Sequence, residues 1–240
     1  MIVLFTDYGI NGPYIGQVEA AILRDNPSAK IINLLANAPR NNPRASSYLL
    51  ASYSLGFPEG SIFFCVVDPG VGSFEDRPLV VEADGKTYIG PDNGLFDMVV
   101  RRSKAINVKE ILWQPDTLSN SFHGRDLYAP VCSMLNRGEE PLLKSVSWSD
   151  PREYPDELNE IIYVDQFGNC ITGTRARNVK STTILECASN RIEFAPTFSA
   201  VKQGQVFWYE NANGLGEIAV NGGSAESYLE VGIGDSFRAV

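Results

Sequence analysis

The feature that most restricts this chain is a change of period partway along it. Over residues 1–148, short apolar runs alternate with stretches whose apolar residues recur at helical spacing. Beyond residue 160 the helical spacing stops and only short strand-like runs remain. In the first part, "IVLF" reads as a strand ending at Thr6–Asp7, and "GPYIGQVEAAILRDN" as a helix carrying Tyr14, Val18, Ala21 and Ile22 on one face. "KIINLL" is a second strand, "PRASSYLLASYSLG" a second helix closed by Gly56, and "GSIFFCVVD" a third, fully apolar strand. Parallel neighbours need a crossover, and a helix is the usual one. The alternation therefore predicts an α/β domain: a mostly parallel sheet flanked by helices on both faces.

Further on, "RPLVVEADGKTYIGPD" reads as a hairpin turning near Asp84–Gly85–Lys86, and "DNGLFDMVVRR" as a short helix. "AINVKEIL" is strand-like. "GRDLYAPVCSMLNRG" is a helix with Pro130 near its first turn, where a missing N–H costs little. The texture changes at "SDPREYPDELNE", which is proline-rich and charged. The expected organisation is an α/β domain over 1–148, a linker over 149–160, and a smaller antiparallel β-barrel domain over 161–240. The strands of the last are "IIYVD", "NCITGT", "TTILEC", "RIEFA", "QVFWYEN", "EIAVN" and "DSFRAV", with a single helical hint at "SAESYLE".

Composition removes some partners. A net charge of −9 offers no basic face for phosphates, which argues against nucleic acid and anionic membranes but permits a small cationic ligand. The longest apolar run is far too short to span a bilayer, and "MIVLFTDYG" lacks the basic segment of a signal peptide. The four cysteines are widely spaced, with no C-x-x-C, and Cys65 and Cys132 sit in apolar surroundings. The expectation is a reducing, cytoplasmic setting without a cysteine-built zinc site.

In open parallel sheets the ligand lies beyond the carboxyl ends of the strands. Asp7 and Asp68 each follow a buried strand, so both should reach that rim. Asp68 opens "DPGVG", a loop whose N–H groups either approach a ligand or merely shape a turn that Asp68 caps. Asp7, in "FTDYG", suits either a ribose diol or an Asx-turn. Asp92, in "GPDNGL", is expected to cap the following helix. "SFHGRD" holds the chain's single histidine, His123. Gly124 lets backbone pass close to a ligand, and Arg125 and Asp126 begin a helix there. In "VDQFGNCIT", Asp165, Phe167 and Asn169 suit a flat heterocycle, or else form a bulged hairpin with Phe167 turned inward. "ENANGLGEIAVNGGSA" is either hairpin chemistry or a backbone that reads a base edge.

Taken in order, "TDYG", "DPGVG", "GPDNGL", "FHGRDLYAPV", "VDQFGN" and "EIAVN" resemble the S-adenosyl-L-methionine hydroxide adenosyltransferases, relatives of fluorinating and chlorinating enzymes. The resemblance spans nearly the whole chain. It implies hydrolysis of S-adenosyl-L-methionine to adenosine and L-methionine, with no cofactor and no metal. It also implies a homotrimer whose site lies at the subunit interface. Asp7 would grip the ribose, and Asp68, Arg77 and His123 would handle the attacking water, with Arg125 as the alternative arginine. Gly124, Asp165, Phe167, Asn169, Asn211 and Gly222 would contact the substrate. Two departures stand out. The loop "GVGSFEDRP" keeps only Arg77 where adjacent arginines are usual, and "APRNNPRAS" lacks the usual aromatic–Asp pair near Asn41–Asn42. Ala212 also replaces a usual serine.

The chemistry fits the residue types. The sulfonium leaves C5′ as neutral methionine, while unassisted water, with a pKa of about 15.7, needs activation. Arg77 would supply charge, His123 would take the proton, and Asp68 would orient them. A halide nucleophile is disfavoured because Asp68 would repel it. The remaining alternatives are a non-catalytic binder of adenosine or S-adenosylmethionine, and a hydrolase with a divalent cation on Asp7, Asp68, Asp126 and His123.

Overall fold

The computed structural model describes residues 1–72, 77–149 and 152–240, and falls into two units, Met1–Tyr154 and Pro155–Val240. In chain order the first unit runs β1 (Ile2–Thr6), α1 (Tyr14–Asp25), β2 (Ile31–Leu35), α2 (Pro43–Tyr53), β3 (Ile62–Val66) and β4 (Pro78–Ala83). It continues with β5 (Lys86–Pro91), α3 (Asp97–Arg102), β6 (Ile106–Ile111), α4 (Ala129–Asn136) and β7 (Leu143–Ser145). The strands form one sheet in the order β2-β1-β3-β5-β4-β6-β7. Ladders among β2, β1, β3 and β5 are parallel; those joining β4, β6 and β7 are antiparallel. The sheet is therefore mixed, with β4 and β7 running against the other five strands. The reason is local. β4 and β5 are joined by a two-residue turn at Asp84–Gly85, which can only produce an antiparallel pair.

β1 and β3 are buried at every position, as strands covered on both faces must be. Alternate residues serve the two faces. Ile2, Leu4, Ile62, Phe64 and Val66 pack with Val18 and Ile22 of α1 and with Val131 and Cys132 of α4. On the other side Phe63 stacks on Tyr88, ring centroids 5.0 Å apart, and Tyr88 meets Phe96 just before α3, which packs on α2. Asn42 caps α2 by accepting the Ala45 N–H at 3.0 Å, with Pro43 in the first turn. Asp92 does not cap the next helix as its position suggested. α3 starts only at Asp97, with Phe96 at the cap position, because the chain first turns through Asn93 and Gly94.

The second unit contains β8 (Leu158–Val164), β9 (Cys170–Arg175), β10 (Leu185–Cys187), β11 (Asn190–Ile192), β12 (Val206–Glu210), β13 (Leu215–Val220), α5 (Ala225–Leu229) and β14 (Arg238–Ala239). They make two antiparallel sheets, β12-β13-β9-β8 and β11-β10-β14, around Trp208, Ile161, Cys170 and Ile218. The expected closed barrel does not form among the described residues. The sheets meet through isolated bridges, Phe194–Trp208 and Glu160–Ser236, and strands as short as β10, β11 and β14 cannot carry a continuous staggered ladder round a barrel. Among the described residues no helix is long and apolar enough to cross a membrane. All four cysteines are buried and unpaired, and burial pushes the Cys65 thiol well above its usual pKa.

Candidate active site

The chain passes from β1 through β2 and then returns to the other side of β1 as β3, so the connectivity reverses between β1 and β3. A crevice is expected outside the carboxyl ends at such a switch point. Thr6 is in register with Val66, which brings the two strand ends level. Beyond them lies a cleft of about 340 Å³ lined by Asp7, Asp68, His123 and Gly124 together with Tyr8, Tyr14, Arg40 and Asn41.

Each carboxylate is braced by backbone. The Asp7 Oδ2 accepts the Asn41 N–H at 2.9 Å, and the Asp68 Oδ1 accepts the Gly70 N–H at 3.0 Å. Burial raises the Asp7 carboxyl above its usual pKa, opposed by the Asn41 N–H and by the positive charge of Arg40. Behind Asp68, the Asn93 amide donates to the Val67 carbonyl at 2.8 Å and so holds the end of the strand. The role of Asn93 is thus to brace the loop, which its place in "GPDNGL" did not reveal.

His123 stands at the head of a π-type turn, Gly124–Tyr128, that leads into α4. Two glycines let its segment close on the strands. A β-carbon on Gly72 would come 2.6 Å from the Asn120 carbonyl, so the Asp68 loop can lie against the His123 loop only without a side chain there. A β-carbon on Gly124 would overlap the Tyr8 hydroxyl. Gly124 therefore makes room for Tyr8 as well as lining the cleft. Tyr8 packs edge-on against Phe122 and tilted against Tyr14, with centroids 5.6 and 6.0 Å away. Burial, with the charges of Asp7 and Asp68, pushes its phenol pKa well up, so Tyr8 stays neutral.

Arg77 and Arg125, the arginines named for the water site, are not among the described residues that line this cleft. Arg77 is exposed and bonds the Asp92 carboxylate at 2.7 Å; the rest of its loop, Ser73–Asp76, lies outside the described residues. Asp92 also receives Arg152. Arg125 forks onto Asp126, Nε to Oδ1 at 2.6 Å and Nη2 to Oδ2 at 2.9 Å, and faces a separate cleft with Trp113, Pro130 and Met134. That fork lowers the Asp126 pKa, and Asp126 lines the same separate cleft. Among the described residues no three His, Cys, Asp or Glu side chains are grouped to hold a metal ion. The four-residue cation cluster considered for the metal alternative is thus not assembled.

In the second unit, Asp165 organises the loop before β9. Its Oδ1 accepts the N–H groups of Phe167 and Asn169 at 2.8 and 2.9 Å, and its Oδ2 accepts the Asn169 amide at 3.0 Å. Phe167 is 67% exposed, so it is not turned into the core. Asn211 is similarly engaged. Its side-chain Oδ1 accepts the Asn213 and Leu215 N–H groups, and its side-chain amide nitrogen donates to the buried Glu217 at 3.0 Å. Glu217 also receives the Tyr209 hydroxyl, and burial raises its pKa. Gly222 is exposed at a turn beyond β13.

Residues not singled out for the site from the sequence are Tyr8, Tyr14 and Arg40 at the cleft and Glu217 beneath Asn211; Asn41, noted there only as a departure from the family pattern, also lines the cleft. Arg40 and Asn41 follow β2, and the rule that drew attention to the ends of β1 and β3 applies to β2 as well.

Comparison with known proteins bears on this arrangement. Residues 2–144 match the family model for the SAM hydroxide adenosyltransferase N-terminal domain, and residues 159–238 match that for the C-terminal domain. The chain is 32% identical over 247 residues to a Thermus thermophilus protein named (R)-S-adenosyl-L-methionine hydrolase, covering 95% of this chain and 94% of that one. A Methanocaldococcus jannaschii protein of the same name is 34% identical over 191 residues, 75% of this chain and 68% of that one. A solved structure of an uncharacterized conserved protein from Thermotoga maritima superposes with a TM-score of 0.83 at 30% identity, covering 100% of this chain and 99% of that one.

Proposed function

This chain belongs to the SAM hydroxide adenosyltransferase family, and from that premise we propose that it hydrolyses S-adenosyl-L-methionine, in the (R) sulfonium form named for its relatives, to adenosine and L-methionine. The observation that carries the reading is the gathering of Asp7, Asp68 and His123 around one cleft at the switch point of the sheet. Water attacks C5′ in line with the C5′–S bond. The new C–O bond forms as the sulfonium takes the C–S electron pair and leaves as the neutral thioether of methionine. His123 accepts the proton lost by the water, and Asp68 orients the water and the imidazole. Asp7 accepts hydrogen bonds from the ribose hydroxyls, its free lone pairs being those the Asn41 N–H leaves. Positioning of this kind can supply about 7–11 kcal/mol of the barrier lowering.

The proposal extends to the second unit. Phe167 offers an aromatic face to the adenine, while the Asp165–Asn169 loop, Asn211 and the backbone at Gly222 contact the base and the amino-acid end. It includes a homotrimer that completes the site across the subunit interface, and a cytoplasmic setting, which the four unpaired buried cysteines favour. Incubation with S-adenosyl-L-methionine and chromatography of the products tests the reaction: adenosine and methionine should appear in equal amounts. Binding without turnover would leave a sensor instead. Sedimentation tests the trimer.

A further inference from the structure

We infer that Arg152 is a positioning residue for Asp68, acting through the turn between β5 and α3. This rests on the hydrolase reading, in which Asp68 orients the attacking water, and deepens it. The route consists of bonds within the first unit. The Arg152 guanidinium spans the turn from end to end. Its Nη2 donates to the Asp92 carbonyl at 2.5 Å and to the Asp92 carboxylate at 3.4 Å, while its Nη1 donates to the Asp97 carboxylate at 3.3 Å. Asp97 is fully buried, so a guanidinium beside it offsets part of a large desolvation cost. The same side chain lies on Gly94, inside the turn. A β-carbon there would come 2.8 Å from the Arg152 Cδ and 2.4 Å from the Tyr154 hydroxyl. Gly94 also holds a φ of +99°, which residues with side chains rarely adopt. The Tyr154 carbonyl accepts a hydrogen bond from Arg101 of α3, which fastens the segment a second time.

Asn93 stands between the two clamped ends. Its amide nitrogen donates to the Val67 carbonyl at 2.8 Å, and its Oδ1 accepts the Leu95 N–H at 3.3 Å. Val67 is fully buried, and Asp68 is the next residue. The place of Asn93 therefore sets where the backbone leaves β3 and how the Asp68 carboxylate meets the cleft it lines. A planar fork that bonds both ends of the turn fixes it against rotation, which a single ammonium cannot do. Arg77 bonds only one end, at the Asp92 Oδ2.

The test is steady-state hydrolysis of S-adenosyl-L-methionine by Arg152→Gln, Asn93→Ala and the double variant in the full chain, with Arg152→Lys as the conservative exchange. Arg137→Gln, which loses an ion pair with Glu139 away from this route, is the control for a general loss of stability. Melting temperatures are measured for all five. Arg152→Gln and Asn93→Ala should each lower kcat about 10–10²-fold with KM held within about twofold, the scale for a catalytic group misplaced by a distant change. The double variant should lose no more than the larger single loss, because both residues act through one route. Arg152→Lys should recover part of kcat, and Arg137→Gln should keep it. An Arg152→Gln enzyme with the unaltered kcat overturns the inference. So does a change in KM alone, a double variant in which the two losses multiply, or an equal kcat loss from Arg137→Gln. If Arg152→Gln does not fold, Arg152→Lys, which keeps the charge but not the fork, takes its place under the same criteria. If the unaltered chain releases no adenosine, the hydrolase reading falls and the inference with it. If the unaltered chain is active and the Arg152 variants are indifferent, the inference alone falls.

Discussion

The carboxylates of the two units are used in opposite ways. In the first unit Asp7 and Asp68 each accept a backbone N–H and still line an open cleft. In the second, Asp165 accepts three hydrogen bonds from its own loop, and Glu217 is buried beneath Tyr209 and Asn211. Polar groups already satisfied by their neighbours make a rigid shape but have little left to offer a ligand. Groups braced by backbone at the edge of a cleft are held in place facing it. In the first unit the carboxylates line a cleft, whereas in the second they hold a loop together and leave Phe167 exposed.

That contrast can be broken most directly at the first unit. Asp68→Ala or His123→Ala should lower kcat for adenosine release by about 10²–10⁴-fold with little change in thermal stability, since both residues are only half-buried. Retained turnover would show that the cleft carboxylate and imidazole are no more chemical than the carboxylates of the second unit. A smaller effect is expected from Phe167→Ala. Loss of one stacked base costs about 1–3 kcal/mol, so KM should rise by about 10–10²-fold while kcat changes less. The reverse split would place Phe167 in the chemistry. The smallest effect concerns Glu217. Burial raises its pKa in the folded chain, so the folded state holds that proton more tightly than the unfolded state. Stability from this group is full below the unfolded pKa and falls as pH rises through the raised folded value. Denaturant titrations over that interval should show the decline, and Glu217→Gln should flatten it. A stability that rises with pH there would mean that the buried network favours the ionised form.

The legible part of the fold was the part dictated by period. Apolar runs such as "IVLF" and "IFFCVV" can hardly be anything but buried strands, and the helical spacing of Val18, Ala21 and Ile22 predicts the buried face of α1. The three-residue strand β7 and the pairing of β10 with both β11 and β14 carry no such period. Whether the second unit closes into a barrel depends on ladder length rather than on any local pattern. The site followed the same division. Asp7, Asp68 and His123 were visible because strand ends and a glycine turn mark them. Arg40 was hidden because a lone arginine in a loop looks like ordinary surface until the parallel pairing of β1 with β2 sets its loop beside Asp7. The bond of Arg77 to Asp92 is likewise not readable from position along the chain, because the two meet only through the pairing of β4 with β5.

The contact between Gly124 and the Tyr8 hydroxyl ties two distant positions into one unit of variation. Alanine at 124 would meet that oxygen first; the next atoms, the Tyr8 Cζ and the Phe64 Cζ, lie at 3.1 and 3.3 Å and need to yield only slightly. Gly124→Ala alone should therefore be damaging, and Tyr8→Phe should relieve much of the damage in the double variant, a coupling that melting temperatures of the four proteins would measure. A lineage that kept the tyrosine would be free to change many residues around this cleft, but not its neighbour 116 positions away.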